Sequence, residues 1–463
     1  MTTSQLRPHE ETGAATTAAR LPLPPVVRSR YPGEFLLLLM RDNLAVIQRL
    51  AEHGDLVQLR VGTRRVMLVN HPREIGQVLV AEQRSFNKGR GGEVLTRGLL
   101  GEGLLTSEGA FHLRQRRLMQ PAFHRERIAA YATVMARDAG RLADSWHEGA
   151  TVDVHEAMMH LTRDIAGETL FSLRMGEDPG GIEEALDLWQ KLARISFWPL
   201  GFLFDRLPFP LVLRARVARA RLNRWLAEVI RERRADGVDR GDLLSMLLEA
   251  QDPEGDHGGM TDKQLRDEAV TLLLAGHETT AVALSWTWYL LSQHPEIEAK
   301  LHAELDEVLA GRAPGAADVP RLGYTRMVFA EALRLYPPAW AMDRQAMQDV
   351  RIGDHHLPKG SFVAISPYLV HRDARWYPDP ERFDPERFRP EVIAGRPKFA
   401  YFPFGGGTRM CIGEQFAWME GILILATLAQ RWRLRHERGH VVAMDPLITL
   451  RPKYGMRMRV ERR

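Results

Sequence analysis

With 463 residues the chain exceeds what a single core usually holds, so length by itself predicts two or three domains. Apolar residues make up 45% and charged residues 26%, and 63 basic against 59 acidic residues leave a formal charge of +4, too small to imply nucleic acid. The single cysteine excludes an intramolecular disulfide and fits a reducing compartment.

Residues 1–20, rich in Thr and Ala, lack a basic segment followed by an apolar core, so they do not read as a secretory signal and are expected to be disordered. Phe35–Met40 is the most apolar early run, and it falls far short of the roughly 20 residues that span a bilayer. The expected location is cytoplasmic. Leu56–Gly62 and Arg65–Asn70 alternate apolar and polar residues around Gly62-Thr63, which predicts a β-hairpin. His71-Pro72 then opens a short helix. From Arg125 to Leu173 the pattern is helical except at Val152–Val154, and helices follow over Ile182–Ile195 and Leu211–Ala235. The aromatic segment Phe197–Phe204 lies between them. Eight arginines from Arg214 to Arg234 read as a solvated helix face. Thr261 to Gln264 has the form of a capping box, and helical periodicity then runs to Gln293, about 30 residues or roughly 45–50 Å. Short strands are expected among the Pro and Asp turns between Pro337 and Pro390, and Ile412–Trp432 is an apolar run of helix length. The sum is mainly α with a small β part.

Three stretches carry chemistry. Ala275-Gly276-His277-Glu278-Thr279-Thr280 interrupts the long helix with a glycine and a polar cluster, which costs about 1 kcal/mol at the glycine and offers the backbone competing hydrogen bonds. Glu331 and Arg334 stand three apart on one helical face. Phe404-Gly405-Gly406-Gly407-Thr408-Arg409-Met410-Cys411-Ile412-Gly413 puts the cysteine at a helix N-terminus, where N–H groups and the dipole favour a thiolate, behind glycines that let a flat ligand approach. A Walker phosphate loop needs Gly-Lys-Ser/Thr, which is absent.

The pattern F-G-x-G-x-R-x-C-x-G resembles the haem-binding loop of cytochrome P-450 monooxygenases of the soluble bacterial type and is matched at every defined position. A/G-G-x-D/E-T in the central helix and E-x-x-R resemble the same family's oxygen-activation and structural motifs. With the propionate-binding segment before Pro121-Ala122-Phe123, four motifs in the expected order cover the chain from about Leu21. The resemblance implies one domain over 21–463, a triangular helical prism with a small β-rich lobe, in place of the two or three that length suggests.

Residue by residue, the resemblance implies haem b with iron on Cys411, beside Phe404 and Gly413. It implies propionate contacts from His112, Arg116, Arg344 and Arg409. Thr279 would hydrogen-bond the oxygen being activated, Glu278 would relay protons, and the helix would open locally next to Ala275. Glu331, Arg334 and a further arginine would form a buried support for the cysteine loop. That arginine is assigned to Arg387 over Arg382, whose surroundings have the same form, by distance to the haem loop.

The reaction implied is insertion of one oxygen atom from O2 into a C–H bond of an apolar substrate: a fatty acid, a terpenoid or a carotenoid-like molecule. Pocket walls are expected from Lys88–Leu105, Ala275, Ala339–Met342 and Ile448-Thr449; Phe197–Phe204 reads as ordinary core or as the apolar lip of a substrate entrance that touches a membrane surface, and the resemblance implies the entrance. No flavin or iron–sulfur segment is visible, so electrons are expected from a ferredoxin or flavodoxin with its reductase, docking on Arg114 and Arg117. A peroxygenase or haem-dependent isomerase, which needs no carrier, and a non-catalytic haem sensor are the alternatives.

Overall fold

The computed structural model describes residues 21–463 apart from 32, 62–63, 90–98, 174–180, 197–208, 253–254 and 256–257. The expected N-terminal tail, the hairpin turn Gly62-Thr63, the entrance segment Phe197–Phe204 and part of the expected wall Lys88–Leu105 therefore lie outside the described residues.

The fold is built around one helix. Thr261 accepts from the Gln264 N–H (3.3 Å) while the Gln264 side chain accepts from the Thr261 N–H (2.8 Å), so the expected capping box starts Asp262–Gln293. At about 1.5 Å per residue this helix runs nearly 50 Å. Its Trp286 and Trp288 are among the largest fully buried side chains. Four further helices matter for the site: α1 (Gly109–Met119), α2 (Arg125–Ser145), α3 (Val154–Phe171) and, after the central helix α4, α5 (Gly323–Leu335). The apolar faces of α2 and α3 close with α4, α5 and the helix after the cysteine, α6 (Glu414–Ala429), into one large apolar cluster. A second cluster joins Leu99, Leu100 and α1 to Leu272–Leu274 of the central helix.

The small β part is present as expected. The hairpin β1 (Leu56–Val61) and β2 (Arg64–Val69) pairs antiparallel with Leu56 opposite Val69. Together with β3 (Phe86–Asn87), β4 (Met342–Ala346) and β5 (Phe362–Ile365) it forms a five-stranded sheet in the order β1-β2-β5-β4-β3. Only the β2–β5 pairing is parallel. Near the C-terminal end, β6 (Met444–Pro446) and β7 (Leu450–Pro452) make a two-stranded hairpin.

Two boundaries differ from the sequence reading. The apolar run expected to be helical over Ile412–Trp432 is helical only over Glu414–Ala429, and Trp432–His436 is a strand. Buried helices and buried strands share an apolar composition, so periodicity does not mark the change. The expected local opening of the central helix is not a break, since the helix is continuous through Ala275–Thr280. Side-chain hydroxyls instead bond its carbonyls there, Thr279 to Ala275 O (2.8 Å) and Thr162 of α3 to His277 O (2.8 Å). Such side-chain donors weaken and bend a helix without ending it.

Candidate active site

The cysteine loop is set by backbone geometry. Gly405 donates to Phe402 O (2.9 Å), and the Cys411 N–H donates to Phe404 O (2.9 Å), folding the loop back on itself. Gly407 sits at φ +68°, and a Cβ there would lie 1.8 Å from Leu79 O, while one on Gly406 would meet the Phe399 ring at 2.6 Å. These two glycines are therefore demanded by the chain's own packing. Only Gly405 (φ +76°), whose nearest neighbour is Met342 at 3.8 Å, leaves the open approach expected of all three.

Cys411 lies deep in the fold, yet its side chain is exposed, so the sulfur opens on an internal cleft and not on the outer surface. Burial pushes its thiol up, and Glu414 adds to this. The Gly413 N–H, hydrogen-bonded to the sulfur, and the Arg116 charge pull the other way. The expectation that the helix terminus favours the thiolate is thus overturned for the protein alone, because desolvation outweighs it. A bound metal cation would supply the missing charge, since a coordinating thiol is deprotonated outright.

Basic side chains crowd the same region. His112 is buried and held neutral, down to about 3, first by desolvation and then by Arg409, Arg116, Lys88 and Arg344. Lys88 is pushed down to about 8 by burial, Arg409 and Arg344, and Arg344 is lowered by burial and Arg409. Asp343 and Glu108 counter them in part, and Glu108 pairs directly with Arg409. Arg116 donates to Met410 O (2.7 Å), which ties α1 to the cysteine loop. Desolvated, mutually repelling cations beside an accessible thiol are the donor set that a group with two carboxylates and a bound metal requires, and haem b meets both conditions. The residues fit the group. Lys88 was foreseen only as the start of a pocket wall; one lysine in a loop carries no sequence signal for this position.

On the central helix every residue from Asp267 to Trp288 is buried except Ala275, Gly276 and Thr279, which share one face. Helix α1 spans from the cysteine loop to this helix, where Gln115 donates to Glu268 (3.0 Å). Glu278 does not share the exposed face. It is buried, and its carboxylate accepts from the Thr449 hydroxyl at 2.6 Å. Thr449 was expected as a pocket wall and not as a partner of the acid.

Glu331 and Arg334 are fully buried and bidentate, at 2.6 and 2.8 Å. Burial raises the Glu331 carboxyl, and Arg334 offsets this. Arg387 approaches Glu331 at 3.5 Å, whereas Arg382 contributes only its carbonyl, to Arg334 at 3.1 Å, so Arg387 is the third member. The link to the cysteine was missed in the sequence. Arg334 donates to His371 O (2.7 Å), and the His371 ring accepts from the Phe402 N–H (2.9 Å) at the base of the loop. His371 follows no local pattern that would single it out.

Arg114 and Arg117, expected to dock an electron carrier, are partly exposed and engaged with neighbouring chain. Arg114 donates to Gly258 O (3.0 Å), and Arg117 holds Asp252 at 2.9 Å. The arginine-rich helix is solvated as expected except at Arg233, which is buried against Asp242 at 2.6 Å.

A family model described as cytochrome P-450 matches residues 24–457. The chain is 45% identical to cyclooctatin synthase of Streptomyces melanosporofaciens, over 89% of this chain and 90% of that protein. It is 41% identical to cyclooctat-9-en-7-ol 5-monooxygenase of the same organism, over 88% of this chain and 90% of that one. The crystal structure of the cytochrome P-450DA haem domain superposes with a TM-score of 0.85 at 29% identity, covering 96% of this chain and 98% of that one.

Proposed function

This chain belongs to the cytochrome P-450 family and is a haem-thiolate monooxygenase, and from that premise we propose that it hydroxylates a cyclic terpenoid in the cleft between Cys411 and Thr279. The observation that carries the substrate class is the high identity to relatives named for cyclooctatin and cyclooctat-9-en-7-ol, an unsaturated cyclic alcohol. The exposed side chains of Ala275, Ala339 and Ala341, on the expected pocket wall, support an apolar substrate, because three methyl groups leave room and offer no hydrogen bond.

When bound, haem b supplies the activation of oxygen at an iron ligated by thiolate. The chain's own residues hold, orient and protonate. Cys411 provides the sulfur, and the Gly413 N–H draws charge from it and moderates its donation. Lys88, His112, Arg116, Arg344 and Arg409 would hold the two carboxylates of the bound group. Thr279 keeps its proton at Oγ1, parked on Ala275 O and one rotation from the cleft, and Glu278 relays protons to it. The pair Glu331–Arg334, with Arg387 and His371, keeps the loop in register. Residues 21–463 act as one unit in this reading.

The reaction draws on O2, an apolar substrate and a redox partner. A ferredoxin or flavodoxin with its reductase is the carrier proposed, as a one-electron donor suits the two sequential reductions. Among the described residues no helix is long and apolar enough to cross a membrane; a cytoplasmic location is proposed on the single cysteine.

Titrating the purified holoprotein with cyclic terpenoids, fatty acids and carotenoids while recording the Soret band tests the substrate class. A low-spin to high-spin shift with cyclic terpenoids at the lowest concentration is expected. A shift with fatty acids or carotenoids alone would replace the terpenoid assignment.

A further inference from the structure

Consecutive residues on a helix point about 100° apart, and Glu278 and Thr279 take different surroundings, the acid buried and the hydroxyl partly exposed. Thr279 takes the accessible face, and the Glu278 side chain is carried sideways to the C-terminal hairpin. There the Thr449 hydroxyl, itself buried in the turn between β6 and β7, donates to Glu278 Oε1 at 2.6 Å.

The position of that hydroxyl is fixed from outside. Trp286, two turns along the central helix from Glu278, donates its indole N–H to Leu450 O at 2.7 Å. The Leu450 N–H donates to Pro338 O (3.0 Å), and the Trp340 indole donates to Leu447 O (2.9 Å). Leu447 donates across the turn to Thr449 O at 3.2 Å. Hydrogen bonds thus pin the turn on both sides of Thr449, one to the helix that carries the acid and two to the segment that carries Ala339. Ile448, adjacent to Thr449, packs against the cluster that contains Leu99, Leu100 and Leu272–Leu274. A hydroxyl held this firmly at 2.6 Å from a buried carboxyl restricts the rotamers that carboxyl can visit.

We propose that Thr449 is the positioning residue for Glu278, setting from the C-terminal hairpin the orientation from which this acid hands protons towards Thr279. The proposal rests on the proton-relay reading of Glu278. Thr449 touches neither substrate nor haem in this role; it acts through the acid. Its loss frees Oε1 from a fixed donor, and the carboxyl spends more of its time in rotamers that do not serve Thr279. Protons then reach the site from solvent instead of through Thr279, and O2 with two electrons and two such protons leaves as hydrogen peroxide in place of product.

The test compares T449V, T449S, E278Q and the double variant T449V/E278Q as holoproteins, with haem content and melting temperature checked for each. T449V removes the hydroxyl at nearly constant shape. Product formed per electron consumed is expected to fall about tenfold in T449V, less than the roughly 10²–10⁴-fold that a general acid or base itself contributes, because Thr449 acts through Glu278, and to recover in T449S. The solvent deuterium isotope effect on oxygen consumption should rise in T449V. In the E278Q background the Thr449→Val change should have no further effect. A readout without turnover is the infrared carboxyl signal assigned to Glu278 by its loss in E278Q, which should shift in T449V and return in T449S. A drop in coupling for E278Q with neither a drop nor a band shift for T449V would overturn the proposal and leave the relay reading standing. Additive losses in the double variant would also overturn it, since Thr449 would then act independently of the acid. If E278Q itself is without effect, the relay reading falls and the proposal falls with it.

Discussion

The two sides of the proposed cleft are held in different ways. The cysteine side is over-determined: the loop folds on its own backbone, glycines at 406 and 407 lock it against Phe399 and Leu79, and a buried ion pair reaches it through His371. On the Thr279 side the hydroxyl rests on one carbonyl, and the neighbouring acid accepts from the hydroxyl of a distant hairpin. The first arrangement fixes a ligand atom, and any weakening of it costs folding free energy. The second keeps protons movable, so single changes there should alter chemistry while leaving the fold intact.

The largest effect that would break this contrast is at Arg334. Arg334→Ala leaves Glu331 buried and uncompensated, which costs about 3–5 kcal/mol, and haem incorporation should be lost. The Soret absorbance per protein and the melting temperature report it; a normally loaded variant would mean that the cysteine side is not held through this pair. Next is Thr279→Ala, which should retain haem and melting temperature yet divert most electrons to peroxide, measured as the ratio of peroxide to product. A loss of haem there would erase the distinction between the two sides.

Glu420 of α6 sharpens the comparison because it lies between the sides, fully buried and facing Thr280 of the central helix. Burial pushes its carboxyl from 4.5 up to about 8. A raised acid binds its proton more tightly in the folded state. The associated stability is therefore fully present below the unfolded value and is lost as pH rises from about 4.5 towards 8, at a slope up to about 1.4 kcal/mol per pH unit. E420Q should flatten that part of the stability curve; an unchanged curve would mean that Glu420 is ionised in the fold.

The smallest expected effect is at Lys88. Its folded value of about 8 lies below the ordinary 10.5, so the unfolded chain binds more protons between these values and the haem-free protein should gain stability as pH rises through that window. Lys88→Gln should remove this gain and weaken haem retention at neutral pH. Thermal melts of haem-free protein and the rate of haem transfer to a competing acceptor measure the two parts.

How much could be read from the chain depended on the distance over which each feature is encoded. The capping box of the central helix, the hairpin at Leu56–Val69 and the cysteine loop are local, and each stands where the residues put it. Arg387 and Arg382 sit in the same four-residue context, so distance to the haem loop had to choose between them, and the approach of Arg387 to Glu331 agrees with that choice. Thr449 and Glu278 are 171 positions apart, and His371 meets Arg334 through its carbonyl, so neither partnership leaves a spacing to find. The thiol was misjudged for a related reason: a helix terminus is visible in a sequence, whereas the depth of burial that outweighs it belongs to the packed fold.

The central claim is that the sulfur of Cys411 is the ligand of the iron. The carbon monoxide difference spectrum of the reduced holoprotein tests it most directly, alongside C411S and C411H prepared in the same way. A strongly red-shifted Soret band of the thiolate type in the native protein, absent from both variants, is the predicted result. A native spectrum of the neutral-ligand type, or one that C411S reproduces, would contradict it.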